Sequence, residues 1–269
     1  MNYINKLDSK KRTLYFFGVS QKMALKNLLL AKKKNQYLFI LSPPFCGSTL
    51  LTEIISTSNN VSCNNNIGLR EGQHLPRAKE MLFNDDRWNP NKNIDWERVK
   101  KIWHKYWDRS KEILLEKSPP NICRAQNIDK IFIDSKYICL VRNPYAQIQS
   151  NIRRYNTDVK IATNKYISYL KYQKSNIEKL KEVLVLSYEE LTDNPIKAKE
   201  KITTFLPALT DINTALEFNA HNMHKKKQMA IVNLNKENIS SLSKDQIEII
   251  NTLLSKEQEL LNYFNYHLL

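Results

Sequence analysis

Residues 37–58 read YLFILSPPFCGSTLLTEIISTS, and this stretch decides the fold. Tyr37 to Leu41 is a short apolar run with the length and aromatic content of a buried strand, and Pro43-Pro44 stops it. Gly47 then provides a turn in which backbone can approach a ligand. Leu50, Leu51, Ile54 and Ile55 give the following helix an apolar face to lay on a sheet. The chain contains only four glycines, so one placed in this turn is a scarce residue used where its geometry matters. Strand, tight turn and a helix opening with Ser48 and Thr49 together form an anion site. The unpaired N–H groups of a first helical turn and the positive end of the helix dipole bind phosphate or sulfate without a charged side chain. A nucleotide-kinase phosphate loop requires more glycines and a Lys directly before the Ser/Thr, and neither is present. Taken alone, the same residues also fit a plain helix capped by Ser48.

Working outward, strands are expected at 61–63, 112–116, 136–141 and 183–187, alternating with helices at 77–83, 121–129, 144–154, 164–180 and 195–206. Alternation of this kind implies a parallel sheet with helices on both faces, an α/β three-layer fold. Asp95 has the position of an N-cap for a helix carrying Trp96, Val99, Trp103 and Trp107. Aromatic residues at helical spacing belong to a core more often than to a binding face, and we read them as core. Residues 14–17 are expected to pair as a peripheral strand. Residues 21–34 read as a basic amphipathic helix, Met23, Leu25, Leu28 and Leu29 set against Lys22, Lys26 and Lys32 to Lys34. Its expected role is that of a surface helix leading into the first strand, not of a membrane-binding one. The expected organisation is one domain over 1–269, with a helical elaboration around 77–110 and a helical C-terminal part at 195–269. Lys225, Lys226 and Lys227 are placed in a loop.

The 269-residue chain has 42 Lys and Arg against 27 Asp and Glu, a net charge of +15, which favours anionic partners. A generally lysine-rich proteome would produce the same excess. The four cysteines, 46, 63, 123 and 139, lack metal-ligand spacing and read as free thiols of a reducing compartment, and no metal is expected. No apolar stretch reaches the ~20 residues of a membrane helix, so a cytoplasmic protein without stable membrane insertion is expected.

A second motif lies about a hundred residues beyond the first. Arg142 closes the apolar run KYICLV, Pro144 suits a first helical turn, and Ser150 follows two turns later. Arg142 at a strand end can present its planar fork to a dianionic phosphate, and Ser150 can complete such a site. With both motifs in view, the chain resembles the sulfotransferases that use 3′-phosphoadenosine 5′-phosphosulfate (PAPS), of the bacterial, glycan and tyrosylprotein type. PPFCGSTLL resembles that family's 5′-phosphosulfate loop, and LVRNPYAQIQS its 3′-phosphate motif. EGQHLP at 71–76, EKSPPN at 116–121, SYEEL at 187–191 and FNY at 264–266 are further similarities in family order.

The resemblance implies a P-loop-like sulfotransferase fold, PAPS as co-substrate, and adenosine 3′,5′-bisphosphate (PAP) as product. It implies cofactor contacts from Phe45, Cys46, Gly47, Ser48, Thr49, Leu50, Arg142, Ser150 and Tyr188. Family members commonly carry Lys or Arg where Phe45 stands, and Lys117, in the EKS segment, is expected to supply the missing cation. Glu71 is expected to be the general base, with His74 as runner-up. The implied acceptor is a hydroxyl or amine of a small molecule, sugar or lipid, not a nucleic acid, and the loops at 64–72 and 85–93 with the Trp-rich helix are expected to line its site. A kinase-like phosphotransferase and a non-catalytic polyanion-binding protein are the rival readings.

Overall fold

The computed structural model describes residues 9–215 and 230–269, so the expected Lys225, Lys226 and Lys227 loop lies outside the described residues. The chain runs through α1 (Ser9–Leu29), β1 (Gln36–Leu41), α2 (Ser48–Ile55), β2 (Val61–Cys63), α3 (Ala78–Leu82), α4 (Trp96–Trp103) and β3 (Ile113–Glu116). It continues through α5 (Ala125–Ile131), β4 (Ser135–Val141), α6 (Pro144–Tyr155), α7 (Val159–Lys179) and β5 (Val183–Ser187). It ends with α8 (Tyr188–Asp193), α9 (Pro195–Phe205), α10 (Asn235–Ser240), α11 (Lys244–Leu254) and α12 (Gln258–Tyr263). The strands form one sheet in the order β2-β3-β1-β4-β5, and every neighbouring pair is parallel. This is the expected α/β fold with a parallel sheet flanked by helices.

Successive side chains of a strand face opposite ways, which gives the sheet two covered faces. Phe39 and Leu41 of β1 and Tyr137 and Cys139 of β4 pack with Trp96, Trp103, Trp107 and Phe132. Leu38, Ile40, Ile138 and Leu140 pack instead with Leu50, Leu51 and Ile54 of α2 and Ile202 of α9. The Trp residues of the elaboration are core, as expected: Trp103 and Trp107 are fully buried, and Trp107 lies just past the end of α4. Asp95 caps that helix by accepting from Arg98 N at 2.9 Å.

Because all strands are parallel, their carboxyl ends share one edge of the sheet. The segments that leave β1, β2, β3 and β4 at 42–47, 64–72, 117–118 and 142–143 therefore converge there.

The N-terminal region differs from expectation. Residues 14–17 are not a strand, and the helix expected at 21–34 starts at Ser9 and ends at Leu29. Two apolar stripes on opposite sides of α1 hide its period: Phe16 is buried and Tyr15, Val19 and Met23 are partly so, while Leu14, Phe17, Leu25 and Leu28 face solvent. The apolar side expected to pack therefore points outward, apart from Met23. The four cysteines are free, and no helix among the described residues is long and apolar enough to cross a membrane.

Candidate active site

The turn after β1 has the geometry of an anion loop. Gly47 sits in the left-handed region at φ 86°, and Phe45, although not a glycine, does so at φ 68°. α2 begins at Ser48 with no side-chain cap, so Ser48 does not cap the helix. Leu51 N donates back to Gly47 O at 3.1 Å, whereas the N–H groups of Ser48, Thr49 and Leu50 precede the intrahelical ladder. The side chains of Cys46 and Leu50 are buried in the core, so what they can offer an anion is backbone. Burial also pushes the Cys46 thiol well above its ordinary pKa.

Arg142 leaves β4 beside this loop and is 6% exposed. Its Nη1 donates to Phe45 O at 2.8 Å and its Nε to Asn235 Oδ1 at 2.8 Å, while the guanidinium lies 4.0 Å from the centre of the Tyr188 ring. Tyr188 is thus wedged between Arg142 and the loop. A Cβ on Gly47 would come within 2.6 Å of the ring, so only glycine fits there. Among the described residues no carboxylate is within ion-pair distance of Arg142. Glu189 is linked to it through Asn235, which donates to Glu189 Oε1 at 2.5 Å. The same carboxylate accepts from Asn143 N at 2.9 Å and from Tyr266 Oη at 3.3 Å. Arg142 Nη2 is buried with no hydrogen-bond partner among the described residues. An unsatisfied donor on a permanently charged group is costly unless a ligand completes it. Ser150 is buried in α6, and its hydroxyl donates to Ala146 O at 2.9 Å, leaving its oxygen free to accept.

Across the same sheet edge, the segments after β2 and β3 bring Glu71, His74 and Lys117 together. Lys117 Nζ lies 3.1 Å from Glu71 Oε1, with the side chains 2% and 6% exposed. His74 Nε2 is 3.2 Å from Glu71 Oε2, and Gln73 Nε2 donates to that oxygen at 2.5 Å. Burial alone would raise the Glu71 pKa, but Lys117, His74 and Gln73 outweigh it and lower it to about 2. Glu71 is therefore a buried, ionised carboxylate. Lys117 pairs with Glu71 and not with its neighbour Glu116.

Glu116 holds the Glu71 turn in place. It accepts from Asn64 Nδ2 at 2.8 Å, from Gly72 N at 3.0 Å and from Ser118 Oγ, and Ser118 Oγ accepts from Gln73 N at 3.1 Å. Trp103 Nε1 donates to Gly72 O at 3.2 Å, closing the turn from the core side. A Cβ on Gly72 would lie 2.3 Å from Glu116 Oε2, so this glycine makes room for the carboxylate. Burial raises the Glu116 pKa to about 7 against the lowering effect of its donors. The loop at 85–93 is fixed from the other side. Arg124 donates through Nη1 to Arg87 O at 2.7 Å and through Nη2 to Asn89 O at 2.6 Å. The Trp-rich helix, expected to line the acceptor site, has its Trp96, Trp103 and Trp107 rings buried in the core and offers no ring face to a ligand.

An uncapped helix N-terminus, an unsatisfied buried Arg and a buried Glu–Lys pair thus share one edge of the α/β sheet. The model of the sulfotransferase family matches residues 37–208, and the chain belongs to that family. Solved structures agree in fold. The sulfotransferase domain from the curacin biosynthetic pathway is 17% identical, covers 89% of this chain and 100% of its own, and has a TM-score of 0.51. The sulfotransferase domain from the Synechococcus PCC 7002 olefin synthase is 20% identical over 83% of this chain and 96% of its own, with a TM-score of 0.51. Sulfotransferase STF9 from Mycobacterium avium is 12% identical over 96% and 83%, with a TM-score of 0.55. No curated protein matches the sequence.

Asn235, Glu189, Glu116 and Ser118 were not singled out from the sequence for these contacts. Glu116, Ser118 and Glu189 stand inside the EKSPPN and SYEEL segments, where a polar residue directly beyond an apolar strand was the available signal. Asn235 comes from a polar stretch 93 residues after Arg142, with no local signal at all.

Proposed function

We propose that the protein transfers the sulfonate group of PAPS to a hydroxyl or amine of a small-molecule, sugar or lipid acceptor. The observation that carries this reading is the buried, unpartnered Arg142 Nη2 next to the uncapped start of α2, in a chain of the sulfotransferase family. These two donors suit a ligand with anions at both ends, the 5′-phosphosulfate at the N–H groups of residues 48–50 and the 3′-phosphate at Arg142 and Ser150. Phe45 contributes its carbonyl to hold Arg142, Gly47 leaves room for Tyr188, and Tyr188 supports the guanidinium from one face.

In the transfer, an acceptor oxygen or nitrogen forms the new bond to sulfur as the bond from sulfur to the 5′-phosphate oxygen breaks, and the acceptor proton passes to Glu71. Lys117 replaces the cation absent at Phe45. One cation about 4 Å from the developing charge, at an intermediate dielectric, contributes about 4 kcal/mol before desolvation. When Lys117 turns from Glu71 to the sulfonate, the carboxylate loses its main stabilising charge and its proton affinity rises, so charge neutralisation and base activation occur together. One observation favours His74 as the group that meets the acceptor: its side chain is 23% exposed, against 6% for Glu71, which would then orient the imidazole.

The test is transfer of radiolabelled sulfonate from PAPS into fractions of a cell extract, alongside binding of PAP. Labelled product establishes the reaction. PAP binding with no labelled product in any fraction would reject catalysis, and binding of neither nucleotide would favour a polyanion-binding protein.

A further inference from the structure

The contacts that fix helix α1 to the described body gather on one side. Phe16 packs edge-on against Tyr106 with ring centroids 5.9 Å apart, and Lys26 pairs with Asp108 at 2.5 Å. Asn27 donates to Trp107 O at 2.9 Å and accepts from Arg109 N at 2.7 Å. The opposite side carries Leu14 at 70% exposure, Phe17 at 59%, Leu25 at 58%, Leu28 at 80% and Leu29 at 70%. At 3.6 residues per turn these five fall within roughly a third of the circumference, opposite Phe16 and Met23, in a stripe about 22 Å long. Exposed apolar side chains grouped on one arc of a helix that already has a buried side mark an interaction surface, here with Gly18 and Gln21 between Phe17 and Leu25.

The charges around the stripe select the partner. Residues 9–34 contain eight Lys or Arg and no Asp or Glu. Lys11 and Lys22 are exposed beside the stripe, and exposed Lys32, Lys33 and Lys34 follow its end. Two copies meeting through this face would bring these cations together with no carboxylate on either helix to neutralise them. A surface of anionic phosphate headgroups over acyl chains matches both features.

We propose that α1 docks the protein in plane on an anionic lipid bilayer, with Leu14, Phe17, Leu25, Leu28 and Leu29 entering the acyl boundary and the flanking lysines meeting the headgroups. The docking face adjoins the candidate active site. Phe17 and Gln21 line a cavity of about 500 Å³ together with Thr13, Pro76, Ile102 and Tyr106, and Pro76 lies two residues beyond His74. Arg12 Nη2 donates to His74 O at 3.5 Å. The docking stands whether or not the sulfonate transfer is correct.

The experiment is co-sedimentation of the full chain with vesicles of phosphatidylcholine, alone or with about a third phosphatidylserine. Binding is expected to the anionic vesicles, about tenfold weaker to the neutral ones, and weaker again as salt screens the lysines. The double variant Leu25→Ser/Leu28→Ser should bind about tenfold less, and its melting temperature should stay unchanged because both side chains are exposed. The triple variant Lys32→Glu/Lys33→Glu/Lys34→Glu, in a segment that leaves the core intact, should lose binding to a similar degree. Absence of binding to anionic vesicles, or undiminished binding by both variants, overturns the proposal. A solution dimer that the double variant dissolves would overturn it in favour of a second copy of the chain.

Discussion

Lys117 and Glu71 form an ion pair, 3.1 Å from Nζ to Oε1, in which neither side chain reaches solvent to more than 6%. Breaking a buried pair from one side leaves a desolvated charge, which costs about 3–5 kcal/mol. Lys117→Met should therefore lose about 3 kcal/mol of unfolding free energy at neutral pH, measured in denaturant, with His74 and Gln73 still holding the carboxylate. Adding Glu71→Gln should recover much of that loss while turnover stays abolished. PAP affinity should hardly change, because the Lys117 contact is expected mainly in the transition state. Unchanged turnover in Lys117→Met would reject its role. The pair also sets an acid limit. The Glu71 pKa falls on folding from 4.5 to about 2, so its contribution is present above pH 4.5 and disappears as pH drops towards 2.

Glu116 predicts a slope of the opposite sign. Its pKa rises on folding from 4.5 to about 7, so between those values the folded state holds a proton that the unfolded chain has released. Stability should therefore decline by about 3 kcal/mol as pH rises from 4.5 to 7. Glu116→Gln keeps an oxygen for Asn64 and Gly72 and places an amide against Ser118, so it should fold and flatten this slope. Chemical denaturation of both proteins across that range is the measurement, and equal slopes would contradict it.

The sequence made the centre of the sheet legible because β1, β3 and β4 are compact apolar runs ended by Ser-Pro-Pro, Lys-Ser and Arg-Asn, after Leu41, Glu116 and Val141. It also brought Glu71, His74 and Lys117 into view, although not their contacts. Lys117 follows Glu116 in sequence, yet its partner is 46 residues away, and no local pattern encodes that pairing. Two superposed stripes on α1 erased its helical period, so Leu14 to Phe17 read as a strand. Asn235 was out of reach for the same reason as Lys117: polar contacts made across the sheet edge leave no periodic trace, whereas apolar burial does.

Arg142 and Ser150 should distinguish nucleotides by the 3′-phosphate. PAP should raise the melting temperature, because a ligand that binds only the folded state stabilises it. Arg142→Ala should remove most of this shift and Ser150→Ala part of it. Equal stabilisation of the parent protein by 5′-AMP would reject the assignment of the 3′-phosphate site.

Gly47 tests whether the loop and Arg142 act as one unit. Gly47→Ala would place a methyl 2.6 Å from Tyr188 Cδ2 at a φ of 86°, unfavourable for any residue with a Cβ. The strain should lower stability by about 1–3 kcal/mol. Because Tyr188 also supports Arg142, the variant should lose PAP affinity beyond what the loop alone explains. A double-mutant cycle with Arg142→Ala should therefore show non-additive losses, and strict additivity would mean that loop and Arg are independent.

The last prediction assigns the base. Glu71 lies at the centre of the cluster, ionised well below neutrality, and would gain proton affinity if Lys117 were drawn away. With Glu71 as base, the rate at limiting acceptor should hold nearly flat from pH 7 down to about 5. Glu71→Gln should lose about three orders of magnitude in kcat, within the range usual for general-base catalysis, and retain PAP binding. His74→Asn should lose about tenfold, consistent with removal of one donor that orients the carboxylate. The reverse outcome, an inactive His74→Asn and an active Glu71→Gln, would move the proton to the more exposed imidazole. Glu71 would then be left to position it, and Lys117 to act on the sulfonate alone.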